Sequence, residues 1–303
     1  MDGMIDSILK EIKEDRTTPA VELVKKGVDA IALFIAHFTG GSFAFFNELR
    51  RISEILIDYQ PSTAPFFHLV NVLLLAAEGH QEVEAMKAAV REAIRGFMGH
   101  LQSSGERISK ITRGLIPDGG RVLTHSYSST VLRTLIDAKK EGREFEVVCT
   151  ESRPMCEGLR MARKLGEQRI KVQLQIDCAV TYTIKDIGLV LVGANCVTPF
   201  GLVNKVGTYG LALSASERGI PLYALCGTEK LLGAGMAKKY RILRKDPREV
   251  WPDPPAGIEV FNFYFDATPL KFLTAIFTEE GILRGNEVIR RFQKMKVSDH
   301  FPT

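Results

Sequence analysis

G-A-N-C-V-T-P-F-G-L-V-N-K-V-G-T-Y-G, residues 193–210, follows directly on the apolar run I-G-L-V-L-V at 187–192. A short, β-branched run of this kind is a buried strand of a parallel sheet, so the glycine-rich stretch opens at a strand's carboxyl end. In open α/β sheets ligands occupy the crevice beyond those ends. Asn204 and Lys205 stand just before Gly207 and Thr208, where Leu211, Ala212 and Ala215 supply the buried face of a new helix. Backbone N–H groups at such a helix start, with a lysine beside them, suit a phosphate. The same glycines also serve a tight strand-to-helix connection with no ligand at all. Both readings stand on this stretch alone.

Strand and helix alternate on either side. The pattern predicts strands at 121–124, 145–150, 171–176, 189–193 and 221–226, with helices at 130–140, 158–165, 179–184 and 211–218. This spacing argues for a Rossmann-like parallel sheet covered by helices. No G-x-G-x-x-G follows the first strand, so neither a dinucleotide nor any other cofactor is expected. Beyond 226, a charge-rich excursion covers 238–249, and Pro252, Pro254 and Pro255 form a stiff connector. In D-A-T-P at 266–269, Asp266 or Thr268 is expected to cap a helix that begins at Pro269.

Residues 1–118 read instead as a helical domain, with 119–303 as the Rossmann-like domain that carries the ligand crevice. Thr18 is a plausible N-cap with Pro19 at the first helical position, and Gly40, Gly41 and Gly79 interrupt the helical periodicity. The apolar segment 66–77 should be central to the helical core. A long helix is expected from 83 to about 115, with Gly105 as its weak point.

Composition narrows the function classes. A net charge of +4 over 303 residues, with basic and acidic side chains interleaved, argues against general nucleic-acid binding. No apolar run is long enough for a membrane span, and the start M-D-G-M-I-D-S lacks signal-peptide blocks, so a cytoplasmic protein is expected. The five cysteines include no C-x-x-C pair, which argues against structural zinc and against a disulfide framework.

Four predicted strand ends carry polar residues: Thr124, His125 and Ser126; Thr150, Glu151, Ser152 and Arg153; Asp177 and Cys178; Asn195 and Cys196. A parallel sheet brings these ends to one edge. Arg153 offers a planar fork and Lys205 a point charge for an anion, unless Glu151 or Asp177 pairs with Arg153 to tie loops together. His125 is a candidate proton carrier or a satisfied structural donor. Cys196 is a reactive thiol or a small buried hydrophobe.

Taken together, T-H-S-Y-S-S, T-E-S-R-P-x-x-E-G, D-C-A-V-x-Y, V-G-A-N-x-V, N-K-V-G-T-Y-G-L-A-L and F-D-A-T-P, in order across about 119–285, resemble one superfamily. It is that of the translation initiation factor 2B alpha, beta and delta subunits and their relatives, the methylthioribose 1-phosphate and ribose 1,5-bisphosphate isomerases. In the isomerases, the resemblance implies, a cysteine after Thr-His and an aspartate after Gly-Ala form the acid/base pair. Those positions are Ser126 and Asn195 here. An amide is nonbasic and an unassisted hydroxyl a very weak acid, so neither suits proton transfer. Glu157 replaces a glutamine, no Arg-Gly-Ala is present, and Gln60 precedes Pro61 where an arginine is implied. Arg153, Glu157, Asn204, Lys205, Gly207 and Thr208 remain as ligand-binding positions.

The expectation is a noncatalytic subunit-like protein that works by association with a second copy or homologous subunits, with the initiation factor 2 alpha subunit as the implied partner and a sugar phosphate or nucleotide as ligand. The alternative is an aldose–ketose isomerase whose acid/base pair is relocated to His125, Cys196, Asp177 or Glu157.

Overall fold

The computed structural model describes residues 2–15, 18 and 20–302. Pro19, expected as a first helical position, lies outside them. The chain divides into two compact units: residues 1–102 with 229–241 and 293–303, and residues 103–228 with 242–292. The first is therefore discontinuous in sequence, which a boundary drawn once at 118 does not express. Among the described residues, no helix is long and apolar enough to cross a membrane.

The helical unit is built from α1 (Asp2–Glu14), α2 (Ala20–His37), α3 (Ser42–Tyr59), α4 (Ala64–Glu78) and the first part of α5 (Val83–Thr112). α2 buries Leu23, Val24, Gly27, Ala30, Ile31, Phe34 and Ile35, the single face that a 3.6-residue period allows. α4 is apolar on nearly all sides, and its Phe66, Phe67, Leu69, Val70, Leu73 and Leu74 are fully buried. It is the centre of this unit, as its composition predicts. A Cβ on Gly27 would stand 2.5 Å from Phe66 Cε1, so a glycine is needed for α2 to approach α4 this closely. Asn71 ties in the returning tail: it donates to the Lys296 carbonyl and accepts from the Ser298 N–H, each at 2.9 Å.

The second unit begins within α5, which runs through Gly105 without a break. It continues with β1 (Gly120–His125), α6 (Ser129–Lys140), β2 (Phe145–Thr150), α7 (Glu157–Glu167), β3 (Lys171–Gln175), α8 (Val180–Thr183) and β4 (Leu189–Val192). Next come β5 (Cys196–Thr198), β6 (Gly201–Lys205), α9 (Thr208–Glu217) and β7 (Leu222–Leu225). After α10 (Ala234–Ala237), which belongs to the helical unit, the chain adds β8 (Phe265–Thr268), β9 (Ala275–Thr278), β10 (Gly281–Leu283) and α11 (Asn286–Gln293).

The main sheet has the order β10-β9-β7-β4-β1-β2-β3 and is parallel except for β10, which runs antiparallel to β9. Its strands bury Val122, Val147, Leu189 and Leu191 against α6 and α7 residues such as Val131, Leu135, Met161 and Leu165. Helices on a mostly parallel sheet define the α/β class expected from the alternation.

Two local expectations are corrected. The stretch 193–210 is not a plain loop: β5 and β6 form a hairpin within it and pair with β8 as a second, antiparallel sheet. Nor does an α-helix begin at Pro269, which is followed only by a single 3-10 turn, Leu270–Phe272. Residues 265–268 pair with β6, and 275–278 pair in parallel with β7, so strand pairing overrides the Asp/Thr-Pro capping pattern.

Candidate functional site

The parallel register sets the site. Thr124 pairs with Cys149, His125 with Val192, and Thr150 with Gln175, so the carboxyl ends of β1, β2, β3 and β4 reach one edge. There the chain turns sharply. Ser126 and Ser152 both adopt left-handed backbone, at φ 68° and 65°. α7 begins close under this edge: a Cβ on Gly158 would lie 1.7 Å from the Thr150 carbonyl oxygen, so only glycine fits.

His125 is at the centre and is 3% exposed. Its Nε2 is 2.9 Å from the Val206 carbonyl, which can only accept, so Nε2 carries the proton. In the neutral ring Nδ1, 2.6 Å from the Thr150 hydroxyl, accepts from it. The Thr150 oxygen meets the Ser152 hydroxyl at 3.1 Å, and Ser152 Oγ accepts the Ser126 backbone N–H at 2.7 Å. This chain of bonds holds the ring in place, and burial favours its neutral form. Burial holds its pKa below the ordinary value, against the opposing pull of the Val206 carbonyl and the Asp177 carboxylate.

Asp177 lies 3.9 Å from His125 Nδ1, but its two carboxylate oxygens are occupied by the backbone N–H groups of Ser152 and Arg153, each at 2.7 Å. The alternative in which Asp177 pairs with the Arg153 side chain is replaced by these backbone bonds. Arg153 is exposed, and its guanidinium donates to the Val250 carbonyl at 3.3 Å.

Ser126 and Asn195, the two positions implied as acid and base, are both half-buried. Asn195 donates its backbone N–H to the Val203 carbonyl at 2.9 Å, an extension of the β5–β6 hairpin. Cys196 is fully buried in β5, opposite Val203, because strand pairing turns it inward. Of its two readings, a reactive thiol or a small buried hydrophobe, the structure supports the second. Cys149 is buried in β2, and burial pushes its thiol up to about 12.

Around Lys205 the geometry is that of a filled anion site. Lys205 is 3% exposed, and its ammonium lies 2.6 Å from Glu157 Oε1 and 4.8 Å from the centre of the Tyr264 ring. Asn204 donates to the Thr208 hydroxyl at 3.1 Å, and that hydroxyl donates to the Lys205 carbonyl at 2.6 Å, which binds β6 to the start of α9. Gly207, at φ 103°, makes the turn between them with His125 Nε2 close by, 3.3 Å from where a Cβ would be.

Sequence reasoning gave one residue here to the wrong helix, Asp266, and missed another, Tyr264. Asp266 caps α9: its Oδ2 accepts the N–H groups of Gly207 at 2.8 Å and Tyr209 at 3.2 Å. Burial raises its pKa, partly offset by those two bonds. Tyr264 donates to Glu249 Oε1 at 2.5 Å, and burial together with that bond raises its pKa. Glu249 also accepts from Asn262 at 2.7 Å. The only signal for Asp266 was the F-D-A-T-P motif, which marks a capping residue without saying which helix it caps.

A mostly parallel sheet with a polar carboxyl edge places the chain among the α/β proteins. The profile of the IF-2B family, the Initiation factor 2 subunit family, matches residues 4–285, and the chain belongs to that family. It is 32% identical over 277 residues to a Pyrococcus furiosus protein named as translation initiation factor eIF-2B subunit 2-like, covering 91% of this chain and 95% of that one. It is also 35% identical over 262 residues to a ribose 1,5-bisphosphate isomerase of Methanocaldococcus jannaschii, covering 85% of this chain and 83% of the relative. The crystal structure of a Pyrococcus horikoshii translation initiation factor eIF-2B superimposes with a TM-score of 0.75 at 29% identity, over 92% of this chain and 96% of the other.

Proposed function

We propose that this member of the family is noncatalytic and acts by association with a second copy or homologous subunits in the cytoplasm, with the initiation factor 2 alpha subunit as a further partner. One observation carries the reading: every residue that could replace the missing acid/base pair already has a structural task. His125 bridges Thr150 and Val206, Asp177 holds two backbone N–H groups, Glu157 holds Lys205, and Cys196 is inaccessible. A general acid or base must reach the reacting atom and carry a proton near neutral pH, and none of these is placed to do so.

The second reading, an aldose–ketose sugar-phosphate isomerase, is favoured by the likeness to the M. jannaschii relative and by the presence of Arg153, Asn204, Lys205, Gly207 and Thr208. A coupled assay separates the two. With ribose 1,5-bisphosphate and with methylthioribose 1-phosphate we expect no turnover, and copurification with an initiation factor subunit. Turnover that disappears in His125→Ala or Asp177→Asn overturns the noncatalytic reading.

A further inference from the structure

The cleft contains two features that attract anions, and a carboxylate of the chain itself sits on each. The first is the Lys205 ammonium, buried to 3% exposure and 2.6 Å from Glu157 Oε1. The second is the start of α9, where Asp266 Oδ2 takes the Gly207 and Tyr209 N–H groups. The two differ in reach. Asp266 is joined to its site through β8, paired to β6 at Asn204. Glu157 stands at the first position of α7, on a side chain that keeps 32% exposure beside a lysine that keeps almost none. The carboxylate's second oxygen, Oε2, is buried and has no hydrogen-bond partner among the described residues, so the ion pair leaves acceptor capacity unused inside the site.

We infer that Glu157 is a built-in anion and the specificity-determining residue of the cleft: its carboxylate occupies the place on Lys205 that a phosphate monoester would take, and so excludes one. The inference deepens the noncatalytic reading of the same cleft and rests on it. Physically, a buried ammonium needs a counter-charge, and two carboxylate or phosphate groups cannot share one ammonium without repulsion. An internal carboxylate also has the advantage of effective concentration over a dissolved ion. Replacing Glu157 with glutamine keeps the shape and removes the charge, leaving Lys205 to recruit an anion from solution.

The probe is inorganic phosphate, read by thermal unfolding and titration calorimetry on the full chain. We expect the wild type to show in phosphate, against chloride of matched ionic strength, only the small general stabilisation that an excluded anion gives. Glu157→Gln should be stabilised by phosphate and bind it about 10- to 100-fold more tightly than the wild type, the ratio that one charge-assisted hydrogen bond commands. Adding Lys205→Met to that variant should abolish the gain. An equal phosphate response in wild type and Glu157→Gln, or a gain that survives Lys205→Met, overturns the inference. If Glu157→Gln is recovered unfolded, refolding in phosphate against chloride decides: rescue by phosphate supports the inference, and failure in both sinks it. Turnover has no part in this test. Isomerase activity would defeat the noncatalytic reading while leaving the effect of Glu157 on phosphate measurable.

Discussion

α4 of the helical unit and the carboxyl edge of the main sheet are both buried, but they are held together by different physics. α4 packs the apolar side chains Phe66, Phe67, Leu69, Val70, Leu73 and Leu74 with no exposed surface, and Asn71 is its buried polar residue with bonds of its own. The sheet edge buries Thr124, His125, Thr150, Ser152, Lys205 and Thr208, each of which would be costly to bury without a partner. Apolar burial is non-directional and tolerant of chemistry while sensitive to volume. A hydrogen-bonded edge is the reverse, because removing one member strands the others. The contrast locates stability in one region and specificity in the other.

The largest effect expected of a single change is therefore in α4. Phe66→Ala should cost about 3–5 kcal/mol through lost transfer energy and the cavity left beside Gly27. Urea unfolding measures it, and a loss smaller than that from any sheet-edge variant would break the comparison.

His125→Leu comes next, at about 1–3 kcal/mol, since the Thr150 hydroxyl and the Val206 carbonyl would both lose their partner. This variant also has a pH signature. The folded pKa of His125 is depressed by burial, so between that value and its unfolded value of about 6.5 the unfolded chain binds the additional proton. Stability from the buried neutral ring is therefore present above about pH 6.5 and falls as the pH drops through it toward the folded pKa. Denaturation between about pH 5 and 8 should show this slope in the wild type and a shallower one in His125→Leu. Equal slopes would mean that His125 is not held neutral.

The smallest effect is at a helix start on the same edge. Ser128 Oγ accepts the Val131 N–H at 3.3 Å as the N-cap of α6, and Ser128→Ala should lower stability by about 1 kcal/mol. A Cβ on Gly193 would press within 2.7 Å of Ser128 Oγ, so the cap sits in a tight place at the end of β4. If urea unfolding gives Ser128→Ala a larger loss than His125→Leu, the bonded chain through His125 is not what holds the edge.

The alternation of strands and helices from β1 to β7 was legible because its signals are local. The apolar runs at 145–150 and 189–192, and the helical spacing of Val131, Leu135 and Ala138, show their periods within a few residues. The β5–β6 hairpin was not legible in this way. Its glycines and Pro199 read as loop, and pairing with β8, far along the chain, completes 201–205 as a strand between β5 and β8. For the same reason the D-A-T-P segment at 266–269 misled: its capping residue is real, but the helix it caps is α9.

Ser126, Asn195 and Glu157 could be singled out from the sequence, because a residue's chemistry is fixed by its identity and its position in a motif. Their surroundings could not be. That Glu157 neutralises Lys205, that Asp177 spends its carboxylate on backbone N–H groups, and that Cys196 points into the core are outcomes of contacts between segments remote in sequence. Periodicity encodes which face of an element is buried, whereas the partner met by a charge at its end is chosen only when the sheet closes in register.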